Sequence, residues 1–416
     1  MKRFLSFVLV IVFALSAFTA CGVPQFDDLM NGIKPRGNAG DAAELTDVSD
    51  AAVTDFAIRL FKESMEDGEN TLISPLSVLV ALSMTANGAD NETLSQMESV
   101  LGMTINQLNT WVSTYMANLP EEEKYKLSLA NSIWFKDDPS FVVNEEFLQT
   151  NADYYGAGIY KAPFDDSTLK EINKWVEDNT DGMIKDILDQ IPEDAVMYLV
   201  NALAFDAEWQ NIYNEYQIQD GKFTTEDGTV RDVEMMYSNE NKYLRDDKAE
   251  GFIKYYAKRK YAFAALLPNE GVSVSEYIAS LDGEHLHDLL SDAKTTPVDA
   301  AIPKFETEYK VEMSEILKEM GMPDAFDGTL ADFSKLGSTT DGKNIFINRV
   351  IHQTYINVDG KGTKAGAATV VEMTKETAME PMDPPRRVYL DRPFVYMLID
   401  CETNLPFFIG TMMDVE

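Results

Sequence analysis

Gly360-Lys-Gly-Thr-Lys-Ala-Gly-Ala-Ala-Thr-Val-Val-Glu-Met-Thr374 is built of loop-like residues but alternates like a strand. Every second residue, Thr363, Ala365, Ala367, Thr369, Val371 and Met373, is small or apolar, the pattern of a strand with one buried face. No proline occurs in it up to Thr377, so every amide could join a sheet ladder. An exposed loop needs neither property. Its Gly360, Gly362 and Gly366 approach a phosphate-binding pattern, but the spacing is one residue too long and no amphipathic helix follows.

Upstream, Ile345 to Val358 reads as a strand, and Phe394 to Ile399 and Phe407 to Met412 follow downstream. Further strand-like runs lie at Leu127 to Phe135, Val196 to Phe205 and Phe263 to Leu267. Helical spacing appears at Phe56, Ala57, Leu60 and Phe61, and again over Leu76 to Met84, Asn144 to Tyr155 and Lys170 to Asp178. The strands are scattered among helices without regular alternation, which predicts an α+β fold and not a doubly wound parallel sheet.

The N-terminus combines Lys2-Arg3 with an apolar run from Phe4 to Ala17, too short to span a bilayer and suited to an export signal. Phe18-Thr-Ala-Cys21-Gly22 resembles a bacterial lipobox, which makes 1–20 a signal peptide and Cys21 a lipidation site. Residues 21–46, punctuated by Pro24, Gly32, Pro35, Gly37 and Gly40, read as a flexible tether holding the body roughly 25 to 30 Å from the lipid. A folded domain is expected over 47–416. With Cys21 committed to lipid, Cys401 has no partner, so stability must come from the core, which the 45% hydrophobic residues can supply. The formal charge of −35 makes nucleic acid and anionic lipid poor partners.

Enzyme signatures are missing. There are three histidines, His285, His287 and His352, with no Gly-x-Ser-x-Gly elbow, no His-Glu-x-x-His pair and no metal-ligand spacing at either cysteine.

An ordered set of motifs resembles the serpin family, the serine protease inhibitors. The set begins at Asn70-Thr-Leu-Ile-Ser74-Pro75-Leu-Ser77, with Ala81-Leu-Ser-Met84 and Gly88-Ala89. It continues through Asn173-x-Trp175-Val176, Thr180-x-Gly182-x-Ile184, Leu199-Val-Asn201-Ala-Leu-x-Phe205 and Trp209. It closes with Pro303-Lys-Phe305, the segment from Gly360 to Thr369, Asp391-Arg-Pro-Phe394 and Phe407-Phe-Ile-Gly410.

The resemblance implies three β-sheets, about nine helices and an exposed reactive loop at about 360–385. It places Asn70, Ser74, Ser77, Asn201 and His352 in a polar cluster beneath the main sheet, and Trp209 at the top of the opening. It makes Gly362, Thr363, Lys364, Ala365, Gly366, Ala367, Ala368 and Thr369 the hinge of the loop. Gly360 and Lys364 stand where the family usually has acids. By the family's hinge spacing, the bond offered to a protease is Glu376–Thr377, with Lys375, Ala378 and Met379 as neighbouring candidates. Counting back from Arg392-Pro-Phe394 lands near Met382-Asp383 instead, so the loop is longer than usual.

The expected targets are serine endopeptidases, with cysteine endopeptidases as the alternative; trypsin-like, glutamyl-specific and elastase-like enzymes would each find a residue here, in a covalent one-to-one complex with a monomeric inhibitor and no cofactor. The alternative within the family is a non-inhibitory binding module whose loop is cleaved as a plain substrate. The expected location is the outer face of the bacterial membrane, or the medium.

Overall fold

The structure, a computed structural model, describes residues 26–36, 47–119, 124–192, 195–363 and 384–415. Cys21 and the whole of Lys364 to Asp383, with Lys375, Glu376, Thr377, Ala378 and Met379, lie outside them.

Three sheets and nine α-helices are present among the described residues. The main sheet has seven strands in the order Asp27–Asp28, Gly158–Ala162, Tyr125–Lys136, Met197–Glu208, Gly362–Thr363, Arg349–Val358 and Phe305–Glu312. A nine-stranded sheet lies across the core from it, running through Val230–Arg245, Ala249–Tyr255, Tyr261–Pro268, Phe394–Asp400 and Pro406–Met412. A short ribbon pairs Phe141–Val143 with Gly337–Thr339.

Strand Met197–Glu208 sits between two cores, which explains why its sequence shows an almost unbroken apolar run and not alternation. Met197, Leu199, Leu203 and Phe205 point into the large core between the sheets. Tyr198, Val200 and Ala202 point the other way, onto Ile172 and Val176 of helix Asp166–Asn179. Beneath the main sheet runs helix Pro75–Ala86, capped by Ser74 and opened by Pro75, with every residue buried. Such a helix shows little amphipathic periodicity because all its faces are covered.

Residues 26–36 depart from the tether expected of them. Phe26 sets its ring edge-on to Trp134 and Tyr160, with centroids 5.2 and 5.1 Å apart. Asp27 and Asp28 pair antiparallel with Lys161 and Tyr160 at the sheet edge. Leu29, Met30 and Ile33 pack against the core, and Arg36 holds the nearly buried Asp153 at 2.7 Å. Glycine and proline content suggested a coil, but four apolar side chains and the ion pairs of Arg36 with Asp153 and Glu146 outweigh the ordering entropy of so short a segment.

Removing the Phe26 ring forfeits two aromatic contacts, about 1 to 3 kcal/mol together. In Phe26→Ala, trypsin is therefore expected to cut after Arg36, the Lys34–Pro35 bond being resistant, about tenfold or more faster than in the wild type. The measurement is the appearance of the shortened chain by mass spectrometry, and an unchanged rate contradicts the docking.

Candidate functional site

The main sheet contains two parallel junctions, 125–136 with 158–162 towards one edge and a central seam. Strands 197–208 and 349–358 pair in parallel from Tyr198↔Arg349 to Leu203↔Thr354, and beyond Leu203 and Thr354 they part. Each is antiparallel to its outer neighbour, 125–136 and 305–312. Into the gap comes Gly362–Thr363, antiparallel to both walls: Thr363 lies opposite Ala207 on one side and Val358 on the other. A strand continuing from Thr363 would replace one parallel junction by two antiparallel ones, the more stable pairing.

At the head of the gap, the chain turns tightly through Asp359-Gly-Lys361 from one strand into the next. Trp209 donates its backbone N–H to the Lys361 carbonyl and its indole Nε1–H to the Asp359 carbonyl, both at 2.8 Å. The Tyr213 N–H donates to the Gly360 carbonyl at 2.9 Å. Tyr256 stacks on Trp209, with centroids 4.4 Å apart, and its hydroxyl meets that of Thr363. Glycine is required at 362, where a Cβ would come within 1.9 Å of the Ala207 carbonyl. At 360 a Cβ would press on the Ile218 Cδ1 at 2.8 Å.

Halfway down the seam the two walls are joined by side chains. The Ser74 N–H donates to His352 Nε2 at 3.0 Å, so that nitrogen is the acceptor and the proton sits on Nδ1. His352 Nδ1–H then donates to Asn201 Oδ1 at 2.6 Å, and Ser77 Oγ–H donates to the same oxygen at 3.3 Å. Complete burial pushes the His352 pKa down from 6.5 to about 3. At the foot, Asn348 Oδ1 accepts from the N–H groups of Val196 and Met197.

Ser74, Ser77, Asn201 and His352 are thus brought together, and Trp209 stands at the opening. Asn70 is not part of this cluster. Its side chain accepts from the N–H groups of Met413 and Asp414 and donates to the Asp414 carbonyl, tying down the C-terminal strand. Position in the motif misplaced it, because the short buried strand Leu72–Ile73 separates it from Ser74. Sequence reasoning also missed Tyr213, Tyr256 and Lys254. Of these only Lys254 left a signal, a lone charge in the run Gly251-Phe-Ile-Lys-Tyr-Tyr256. Both ring nitrogens of His352 are engaged in these bonds.

The main sheet thus has a gap, a loop root already in it and a hydrogen-bonded joint below. The family description "Serpin (serine protease inhibitor)" matches residues 51–415, and the chain belongs to that family. A serpin-like protein of Thermococcus kodakarensis is 28% identical over 87% of this chain and 85% of its own. Human neuroserpin is 24% identical over 88% of this chain and 91% of its own. The crystal structure of the thermophilic serpin Tengpin in its native state, 48% identical, superposes with a TM-score of 0.89 over 94% of this chain and 100% of that one. Its latent state, at the same identity, gives 0.79 over 90% of this chain and 100% of that one. The arrangement described here is nearer to the native form.

The fold favours neutral His352, so its contribution to stability is complete above pH 6.5 and is lost as pH falls from 6.5 towards 3. The melting temperature of His352→Gln is expected below that of the wild type at pH 7, by an amount on the order of a few kcal/mol in stability. The gap narrows towards pH 4. A gap independent of pH contradicts the neutral histidine.

Proposed function

We propose that this chain is a suicide inhibitor of serine proteases, trapping the acyl-enzyme by drawing its cleaved loop into the seam between strands 197–208 and 349–358. The observation that carries this reading is the register of the loop root. Continuing it one residue at a time from Thr363 opposite Ala207 and Val358 sets Ala365 beside Phe205 and Ile356, and Ala367 beside Leu203 and Thr354. Thr369 comes between Asn201 and His352, Val371 between Leu199 and Val350, and Met373 beside Met197. Apart from Thr354 and the polar lock, these wall residues belong to the large core. The inward row of the loop is therefore apolar where the core is apolar, and it offers a hydroxyl where the lock must break.

The register also measures the loop. Met373 reaches the last residue of the seam wall, which leaves Glu376–Thr377 three residues beyond the foot and supports that bond as the one cleaved. Gaining about ten backbone hydrogen bonds at ~1 kcal/mol each, with ~1.5 to 3 kcal/mol each for Val371 and Met373, gives a release on the order of 10 kcal/mol. That is comparable with the ~5 to 15 kcal/mol that holds a typical protease folded.

The docked segment 26–36 supports a close attachment if Cys21 carries lipid. Five chain steps at about 3.5 Å span roughly 17 Å at most between Cys21 and Phe26, less than the 25 to 30 Å expected of a free tether. Phe26 packs on Trp134, which pairs with Tyr198 at the foot of the seam, whereas the loop root lies at Ala207, roughly 30 Å along the same strand. The anchor end and the bait end are opposite ends of the body. No described helix is long and apolar enough to cross a membrane. Cys21→Ser is expected to release the protein into the medium and abolish labelling by radioactive palmitate; labelling that persists removes Cys21 as the attachment point.

Trapping is tested by mixing the protein with elastase, trypsin and a glutamyl endopeptidase, followed by denaturing gels and mass spectrometry of the released peptide. The expected result is a one-to-one band that survives boiling in detergent, with a peptide beginning at Thr377. Thr363 is 1% exposed, so Thr363→Arg puts an unpaired charge at the mouth of the seam and is expected to turn inhibitor into substrate. Cleavage of the wild type without a covalent band would favour the binding-module alternative.

A further inference from the structure

Lys254 is a charged side chain only 2% exposed, placed in the core directly under the head of the seam. Its Nζ donates to Glu240 Oε1 at 2.9 Å, and Glu240 is itself only 10% exposed. The Ser238 hydroxyl donates to the same oxygen, and Ser238 in turn meets the Tyr213 hydroxyl at 3.3 Å. The ammonium also lies 4.3 Å from the centroid of the Tyr213 ring and 5.2 Å from that of Trp209. Those two residues supply the three hydrogen bonds that hold the carbonyls of Asp359, Gly360 and Lys361.

A buried ion pair is a poor device for stability alone, because an apolar side chain of similar volume is commonly as good or better. An apolar side chain could not attract two aromatic faces at once, which a desolvated cation does through the ring quadrupoles. The turn that Trp209 and Tyr213 hold is the hairpin from which the inserted strand must grow. With that turn closed and Thr363 already paired on both sides, each further step adds hydrogen bonds without a new loop to close.

We infer that Lys254, held by Glu240, is a positioning residue for the trapping reaction: it fixes Trp209 and Tyr213 on the hairpin turn Asp359–Lys361 and thereby speeds insertion of the cleaved loop. The inference rests on the trapping function proposed above. Insertion competes with hydrolysis of the acyl-enzyme, so a slower insertion shows as a higher ratio of cleaved to trapped inhibitor.

The experiment uses the full chain with whichever of elastase, trypsin or glutamyl endopeptidase the wild type traps. Lys254→Met leaves Glu240 buried without its partner, so Lys254→Met/Glu240→Gln is measured beside it, with Lys254→Arg as the conservative variant. In the double variant the ratio of cleaved to trapped inhibitor is expected to rise about fivefold, and in Lys254→Arg to stay within about twofold of the wild type. The melting temperatures of the intact and cleaved forms are taken for each. A purely structural role would lower both melting temperatures and leave the ratio where it was, and that result overturns the inference. A rise as large in Lys254→Arg as in the double variant overturns it too. If the wild type is cleaved with neither trapping nor a gain in melting temperature, the trapping reading fails first and this inference falls with it.

Discussion

Six residue pairs of parallel ladder, Tyr198↔Arg349 to Leu203↔Thr354, hold together two strands that would pair better with something else between them. Each wall is satisfied on its outer side by an antiparallel neighbour, so the seam alone separates this sheet from one with a further strand. The rest of the architecture can be understood from that constraint. For the trapping function proposed above, the seam must hold against spontaneous opening, yet its opening must cost less than the new strand returns. Three local devices meet this demand: Asn348 at the foot, the His352–Asn201 bond in the middle and the aromatic clamp at the head.

The middle device shows why polar residues occupy so deep a site. Apolar side chains at 74, 77, 201 and 352 would pack the two walls together without a specific bond to exchange. A neutral histidine bridging Ser74 and Asn201 gives a joint that is strong while dry and that another hydroxyl can replace. The arrangement is not fully saturated. Asn201 Nδ2 has no partner among the described residues, and neither has Asn131 Oδ1 on the adjoining strand, directly opposite Asn201. Buried polar groups left unpaired raise the energy of the closed sheet.

Most of the fold was legible in the sequence where periodicity or an unbroken apolar run identified an element. The strands at 197–208, 349–358, 394–400 and 406–412 and the helices at 75–86 and 166–179 are of this kind. Strands 218–224, 230–245 and 249–255 were not read, because solvent-facing charges such as Lys222, Arg231 and Glu234 break their pattern and their pairing partners are supplied by tertiary structure. Within the site, Ser74, Ser77, Asn201, His352 and Trp209 came through because they sit in motifs. The clamp residues Tyr213 and Tyr256 did not, since a tyrosine that stacks under a turn looks in sequence like any other core tyrosine.

The N-terminal segment erred in the opposite direction, and the cause is instructive. Composition weighs all residues of a window equally, whereas docking depends on a few: Phe26, Leu29, Met30, Ile33 and Arg36. Their partners, Trp134, Tyr160 and Asp153, come from three distant elements that meet only in the folded sheet. The segment occupies the free edge of strand 158–162, a row of backbone groups otherwise open to pairing with another chain. With that edge covered, the sheet ends on strand 305–312 at its other side, and the loop root is seated at the inner seam between them.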